Sequence, residues 1–225
     1  MVDIQSRKLV TVWFENTEHS ASSLDLILVH DSWYLLLAQS HQACNVTKPL
    51  TASSQLFVWE NTKQTFKSKG KFMADCVTSG IFLKSTWPVE EYFLSLAQLR
   101  AAEYPIFEEN YQYSREVIIY LYSKKRGAFE VVELLPVYGV IDQVSFTVHD
   151  NVYLALLSEV KESLYIYEYI PLEGFRLYQA ITVEGGYSLD VIVLPSDNKL
   201  IVVSTKSSIG LHVFTILVKG LVPAL

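Results

Sequence analysis

The chain has 225 residues, half of them apolar and 19% charged, a balance that excludes an intrinsically disordered protein. Its 18 basic and 24 acidic side chains leave a formal net charge of −6, so nucleic acid, which wants a basic surface, is not an expected partner. No apolar run reaches the roughly 18 residues of a membrane helix. The nearest, 24–38, is broken by Asp25, His30 and Asp31, and membrane insertion is not expected.

In chain order the sequence repeats one pattern of apolar strands. The first unit, 8–53, has Lys8–Trp13, then Asp25–Val29, then Tyr34–Gln39. The second, 54–113, opens with Leu56–Glu60, passes Phe66 and Gly80, and closes with Phe93–Gln98 before a polar insertion at 99–113. The third, 114–162, runs from Val117–Tyr122 through Phe129, Gly139 and Asp142 to Tyr153–Ser158. The fourth, 163–210, is the clearest: Leu164–Tyr169, Phe175, Gln179–Thr182, Gly185, Asp190–Leu194 and Lys199–Ser204. A last strand, 211–216, is left without a unit of its own.

An aromatic near the end of each first strand marks the period: Trp13, Trp59, Tyr120, Tyr167 and Phe214 lie 46, 61, 47 and 47 residues apart. Only the interval holding the insertion is long. A period of about 40–50 residues built from short strands predicts propeller blades rather than helical arrays. Continuous apolar runs imply strands covered on both faces, and a lone four-stranded blade cannot bury both, so neighbouring blades must provide the core. The expectation is an all-β, propeller-like array forming one repeat domain over 1–225, with four to five blades at this period. The chain reads as part of a longer seven-bladed ring, the alternatives being a smaller closed ring or an open arc that self-associates through its exposed edges. Met1–Val10 carries Asp3, Arg7 and Lys8 and no apolar core of a signal peptide.

The order Ser-Leu-Tyr-Ile-Tyr-x-Tyr, Phe, Gln-x-Ile, Gly, Asp-Val and Lys-Leu-Ile-Val-Val over 163–203 resembles the EAR repeat, also called the epitempin or EPTP repeat. Ser54–Trp59 with Phe66 looks like the same opening, and the likeness extends from about Lys8 to Ile216. The resemblance implies a seven-bladed propeller of secreted or cell-surface proteins that binds other extracellular proteins without catalysis. The first unit departs from the pattern in lacking an equivalent of Phe175.

Candidate sites follow from the repeats. Asp25, Asp142 and Asp190 recur near the third strand of a unit. A ring of carboxylates there is a weak candidate for a cation, since calcium takes 6–8 oxygen ligands. The simpler expectation is that each bonds local backbone amides. Trp87 and the insertion residues Tyr104, Phe107, Glu108, Glu109, Tyr111 and Tyr113 lie outside the repeat, where exposed aromatics anchor protein interfaces; they are the expected partner-binding surface. Basic clusters at Lys63, Lys67, Lys69 and Lys71 and at Lys124, Lys125 and Arg126 read as solvated turns. His30-Asp31 and His149-Asp150 occupy matching turns and read as a turn preference rather than a catalytic pair. Asn45 begins a glycosylation sequon. Cys44 and Cys76 can form one bridge or stay as two thiols.

Neither a nucleophile elbow, a zinc-protease motif nor a phosphate-binding loop is present. The sequence therefore leads to a non-catalytic module without cofactor, binding an extracellular or cell-surface protein. The alternatives are a propeller enzyme of glycosidase type, with two carboxylates in its channel, and an intracellular WD-like scaffold. The missing Trp-Asp strand ends and Gly-His starts speak against the last.

Overall fold

The computed structural model describes residues 2–3, 8–9, 13, 17, 19–40, 51–99, 116–195, 199–206 and 211–215. Two short strands, β1 (Val2–Asp3) and β2 (Lys8–Leu9), pair with each other. All other described strands fall into four antiparallel sheets in chain order. The first holds β3 (Ser20–Val29), β4 (Ser32–Ser40), β5 (Thr51–Glu60) and β6 (Thr65–Asp75). The second holds β7 (Val77–Ser85), β8 (Glu91–Gln98), β9 (Val117–Ser123) and β10 (Ala128–Leu135). The third holds β11 (Val140–Val148), β12 (Asn151–Ser158), β13 (Ser163–Ile170) and β14 (Gly174–Thr182). The fourth has three described strands, β15 (Gly186–Val193), β16 (Lys199–Thr205) and β17 (Leu211–Thr215). No helix occurs among the described residues.

Stacking of these sheets produces three separate cores, one at each junction. Between the first and second sheets lie Leu36, Ala38, Leu56, Phe82, Leu94 and Leu96. Leu83, Phe93, Ile119, Leu154 and Leu156 fill the second junction, and Phe146, Ala155, Leu157, Leu189 and Ile201 the third. A second strand such as β12 is buried from Val152 to Ser158 because its side chains alternate into two different cores. That is why Val-Tyr-Leu-Ala-Leu-Leu reads as an unbroken apolar run. Each buried leucine contributes about 1.5–3 kcal/mol. The first strands β3, β7, β11 and β15 pack in succession, each on the next. Outer strands diverge, and larger rings fill the wedge: Tyr122 and Phe129 meet edge-on at 5.3 Å, Phe93 and Phe175 at 5.5 Å. Burial there pushes the Tyr120 hydroxyl up to about 12. On the outer strand β6, whose far edge pairs with no described strand, the exposed Lys67, Lys69 and Lys71 disfavour further strand addition.

The sequence period and the sheets are out of phase by two strands. The unit 163–210 supplies β13 and β14 to the third sheet and β15 and β16 to the fourth, so each repeat bridges two sheets. The strand left over at 211–216 is β17, the third strand of the fourth sheet. One period marker also shifts. Tyr120, Tyr167 and Phe214 sit opposite Leu94, Leu154 and Ile201; in the first sheet the residue opposite the matching Leu35 is Phe57, not Trp59.

Candidate functional site: the cleft between the first and second sheets

The three recurrent aspartates act at sheet junctions. Asp25 on β3 accepts the N–H of its neighbour Leu26 (2.8 Å) and, across the junction, the N–H of Phe82 on β7 (2.6 Å). Two residues earlier, the Ser23 hydroxyl oxygen accepts the Gly80 N–H at 2.8 Å. On β11, Asp142 accepts the N–H of Gln143 at 2.9 Å with one oxygen. With the other it takes the Leu189 N–H (2.8 Å) and the Ser188 hydroxyl (2.9 Å) of the next sheet. Asp190 on β15 accepts the Val191 N–H at 2.7 Å. The expected local amide bonds are present, and the first two aspartates add a bond to the following sheet. Burial raises the Asp25 carboxyl above its ordinary value of 3.8, outweighing the Phe82 and Leu26 hydrogen bonds that lower it. Among the described residues no group of three or more His, Cys, Asp or Glu is placed to hold a metal ion.

A cleft of about 550 Å³ opens where the end of β3 meets β7 and β8. The β3–β4 turn brings His30 and Asp31 to it, and the start of β4 brings Trp33. His30 and its counterpart His149 adopt left-handed backbones, with φ of 52° and 48°, so the turn preference inferred from sequence is real. From the second sheet come Lys84 at the end of β7, Glu90 before β8, and Tyr92 within it. Lys84 and Glu90 form an ion pair, and the ammonium lies 5.2 Å from the Tyr92 ring centre. The Lys84 hydrogen bond, then that of Tyr92, hold the Glu90 carboxyl below its ordinary 4.5, so it is ionised at neutral pH. The Tyr92 hydroxyl accepts the His30 N–H at 3.2 Å, and the Tyr34 and Tyr122 hydroxyls meet behind it at 3.3 Å. Trp33 keeps 43% of its surface exposed. The cleft thus offers an open indole together with the Asp31 and Glu90 carboxylates, the Lys84 ammonium and the His30 side chain.

Of the residues expected to bind a partner, Trp87 lies in the loop between β7 and β8, near Glu90, and is 62% exposed. Tyr104, Phe107, Glu108, Glu109, Tyr111 and Tyr113 lie outside the described residues, as do Asn45 and Cys44. Cys76 is fully buried and disulfide-bonded. Sequence reasoning passed over Lys84, Glu90 and Tyr92; they belong to a hairpin that only the stacking of sheets carries to His30 and Asp31.

No family model matches the sequence, and no curated protein matches it. Among solved structures, a xylan β-1,4-xylosidase from Bacillus halodurans C-125 superposes on 85% of this chain with a TM-score of 0.50 at 10% identity. The fold is a β-propeller. This chain spans 39% of that xylosidase. It spans 28% of a bifunctional GH43-CE protein from Bacteroides eggerthii, matched over 88% of this chain at 12% identity and a TM-score of 0.42. The propeller shared with the xylosidase corrects the expectation of a non-catalytic chain. A fold that carries glycoside hydrolysis in one protein removes the ground for excluding catalysis here, and the lack of a linear motif is no substitute. Propeller sites are assembled from separate blades, so they leave no such motif. At 10% identity the likeness reaches the fold and no further.

Proposed function

We propose that this chain acts on carbohydrate as a glycosidase-type propeller, with the sugar held in the cleft at His30, Asp31, Trp33, Lys84, Glu90 and Tyr92. The observation that carries the reading is the open Trp33 indole beside two carboxylates in a cleft of about 550 Å³, within the ~300–1,000 Å³ of small-ligand sites. A sugar ring lays its apolar C–H face on an indole, while its hydroxyls need charged and polar partners at the rim. Glycoside hydrolysis uses one carboxyl as acid and a second as base or nucleophile. Glu90, kept ionised by Lys84, suits the base or nucleophile; Asp31, brought to the same cleft by the β3–β4 turn, is assigned the acid. The xylosidase likeness supports this reading at the level of fold. The test is hydrolysis of chromogenic aryl β-xylosides, arabinosides and glucosides by the purified chain. Turnover is expected, falling about 10²–10⁴-fold in Glu90→Gln and Asp31→Asn, with Trp33→Ala raising KM. The acid limb of the pH profile should lie below the ordinary 4.5 of a glutamate. Absence of turnover on every glycoside, or turnover indifferent to both carboxylate variants, overturns the proposal.

A further inference from the structure

One hydroxyl joins the two walls of the cleft. Tyr92 on β8 is 3% exposed, with its ring packed in the first junction. Its oxygen accepts the main-chain N–H of His30 on the facing sheet at 3.2 Å, and His30 belongs to the turn that carries Asp31. On its own sheet Tyr92 stands two residues after Glu90, whose carboxylate takes a hydrogen bond from it. The ring gathers the remaining groups. The His30 imidazole meets it edge-on at 5.3 Å, and the Lys84 ammonium, ion-paired with Glu90, lies 5.2 Å from its centre. The repeat does not require this hydroxyl. Leu94 faces Tyr120 as Leu154 faces Tyr167, so the position matching Tyr92 is Val152, which fills the second junction without one. The two turns differ as well. His149 and Asp150 are both left-handed, with φ of 48° and 70°, whereas in the turn bonded to Tyr92 His30 alone is. The bonded turn therefore holds Asp31 in a backbone conformation that its counterpart Asp150 does not share.

We infer, resting on the glycosidase reading of the cleft, that Tyr92 is a positioning residue. Its hydroxyl clasps the Asp31 turn to the wall that bears Glu90 and so fixes how far apart the two carboxylates stand. That separation decides the chemistry: about 5–5.5 Å for a covalent intermediate, and about 6.5–9.5 Å where a water must fit between. A misplacement of about 1 Å can cost about 10²-fold in rate. Tyr92 also shares in keeping Glu90 charged. Lys84 contributes most to holding that carboxyl below its ordinary 4.5, Tyr92 comes next, and His30 adds to them. Asp31 is the other carboxylate lining the cleft.

Tyr92→Phe keeps the ring and removes the hydroxyl, and the test uses the whole chain. Carboxyl NMR titration of Glu90, amide exchange at His30 and turnover of the best aryl glycoside are compared with wild type. The Glu90 midpoint should rise toward 4.5. The His30 amide should exchange roughly two- to tenfold faster, the worth of one hydrogen bond. Turnover should fall by about 10–10²-fold in kcat with KM nearly unchanged, and the acid limb of the pH profile should move up with the Glu90 midpoint. A purely structural hydroxyl would lower the melting temperature and leave that limb where it was. Wild type gives a readout of its own should the variant not fold: the His30 amide, bonded to Tyr92, should exchange more slowly than its counterpart at His149. Turnover on no glycoside, with the titration and exchange responses as stated, overturns the glycosidase reading and leaves the clasp in place. An unmoved Glu90 midpoint, a His30 amide indifferent to the substitution or no better protected than that of His149, or undiminished turnover overturns the inference.

Discussion

Asp25 shows how one side chain joins two sheets at a measurable cost. Its carboxylate satisfies the Leu26 N–H on its own strand and the Phe82 N–H across the junction, yet burial still lifts its pKa above 3.8. With the folded value above the unfolded one, protonated Asp25 favours the folded state. Its contribution to stability is full below about pH 3.8 and declines as pH climbs through the raised folded value. Asp25→Asn removes this titration and points an amide N–H₂ at one of two N–H donors. An unmet donor pair costs about 1–3 kcal/mol. The variant should be less stable than wild type in urea unfolding, and the gap should narrow from acid to neutral pH. A gap that is constant or widens over that range would contradict the burial account. Asp190 has the same spacing and the same local hydrogen bond, but among the described residues no sheet packs over it.

At the scale of strands, the closeness of β3, β4 and β7 rests on Gly80. A Cβ built there would stand 2.7 Å from Leu36 Cδ2, 2.9 Å from Leu96 Cδ2 and 3.0 Å from Ala38 Cβ. The leucines are fully buried and Ala38 offers no rotamer, so the junction must open. Gly80→Ala should lower stability by about 1–3 kcal/mol, the range for overpacking. Gly70, on the outer strand β6, has nothing within 4 Å of its Cβ; Gly70→Ala should be neutral or stabilising by about 0.4–1 kcal/mol. Equal effects at the two glycines in denaturant unfolding would refute the close-packing argument. Much of this architecture was legible in the sequence. Runs such as Phe93–Gln98 and Val152–Ser158 are apolar because two cores flank them, and composition carries that directly. The phase of the sheets was not legible, since every hairpin turn looks alike and nothing in the chain marks which one crosses to the next sheet. Trp59 was taken as the marker in place of Phe57 because the two aromatics lie two apart on one face of β5, and only the pairing of Phe57 with Leu35 tells them apart. The cleft was half legible. His30-Asp31 stood out as a turn, and its left-handed backbone bears that out, but Lys84 and Glu90 reach it only through stacking of sheets more than 50 residues apart.

For the whole molecule, the number of covered faces should set the local stability. Among the described residues, β7 and β11 lie between sheets on both sides, whereas β3 and β15 have a sheet packed on one side. In a linear stack each sheet gains from its neighbours alone, so the end sheets have about half the interface of the inner ones. Local opening free energies follow buried apolar contact. Amide exchange should therefore be slowest in β8 and β12, intermediate in β7 and β11, and fastest in β3 and β15. Because each sequence repeat spans two sheets, an end sheet cannot open without loosening a strand pair that belongs to its neighbour's repeat. The gradient should accordingly be smooth rather than stepped at sheet boundaries. Equal exchange in all four first strands at low concentration would mean that stacking does not govern stability in this propeller.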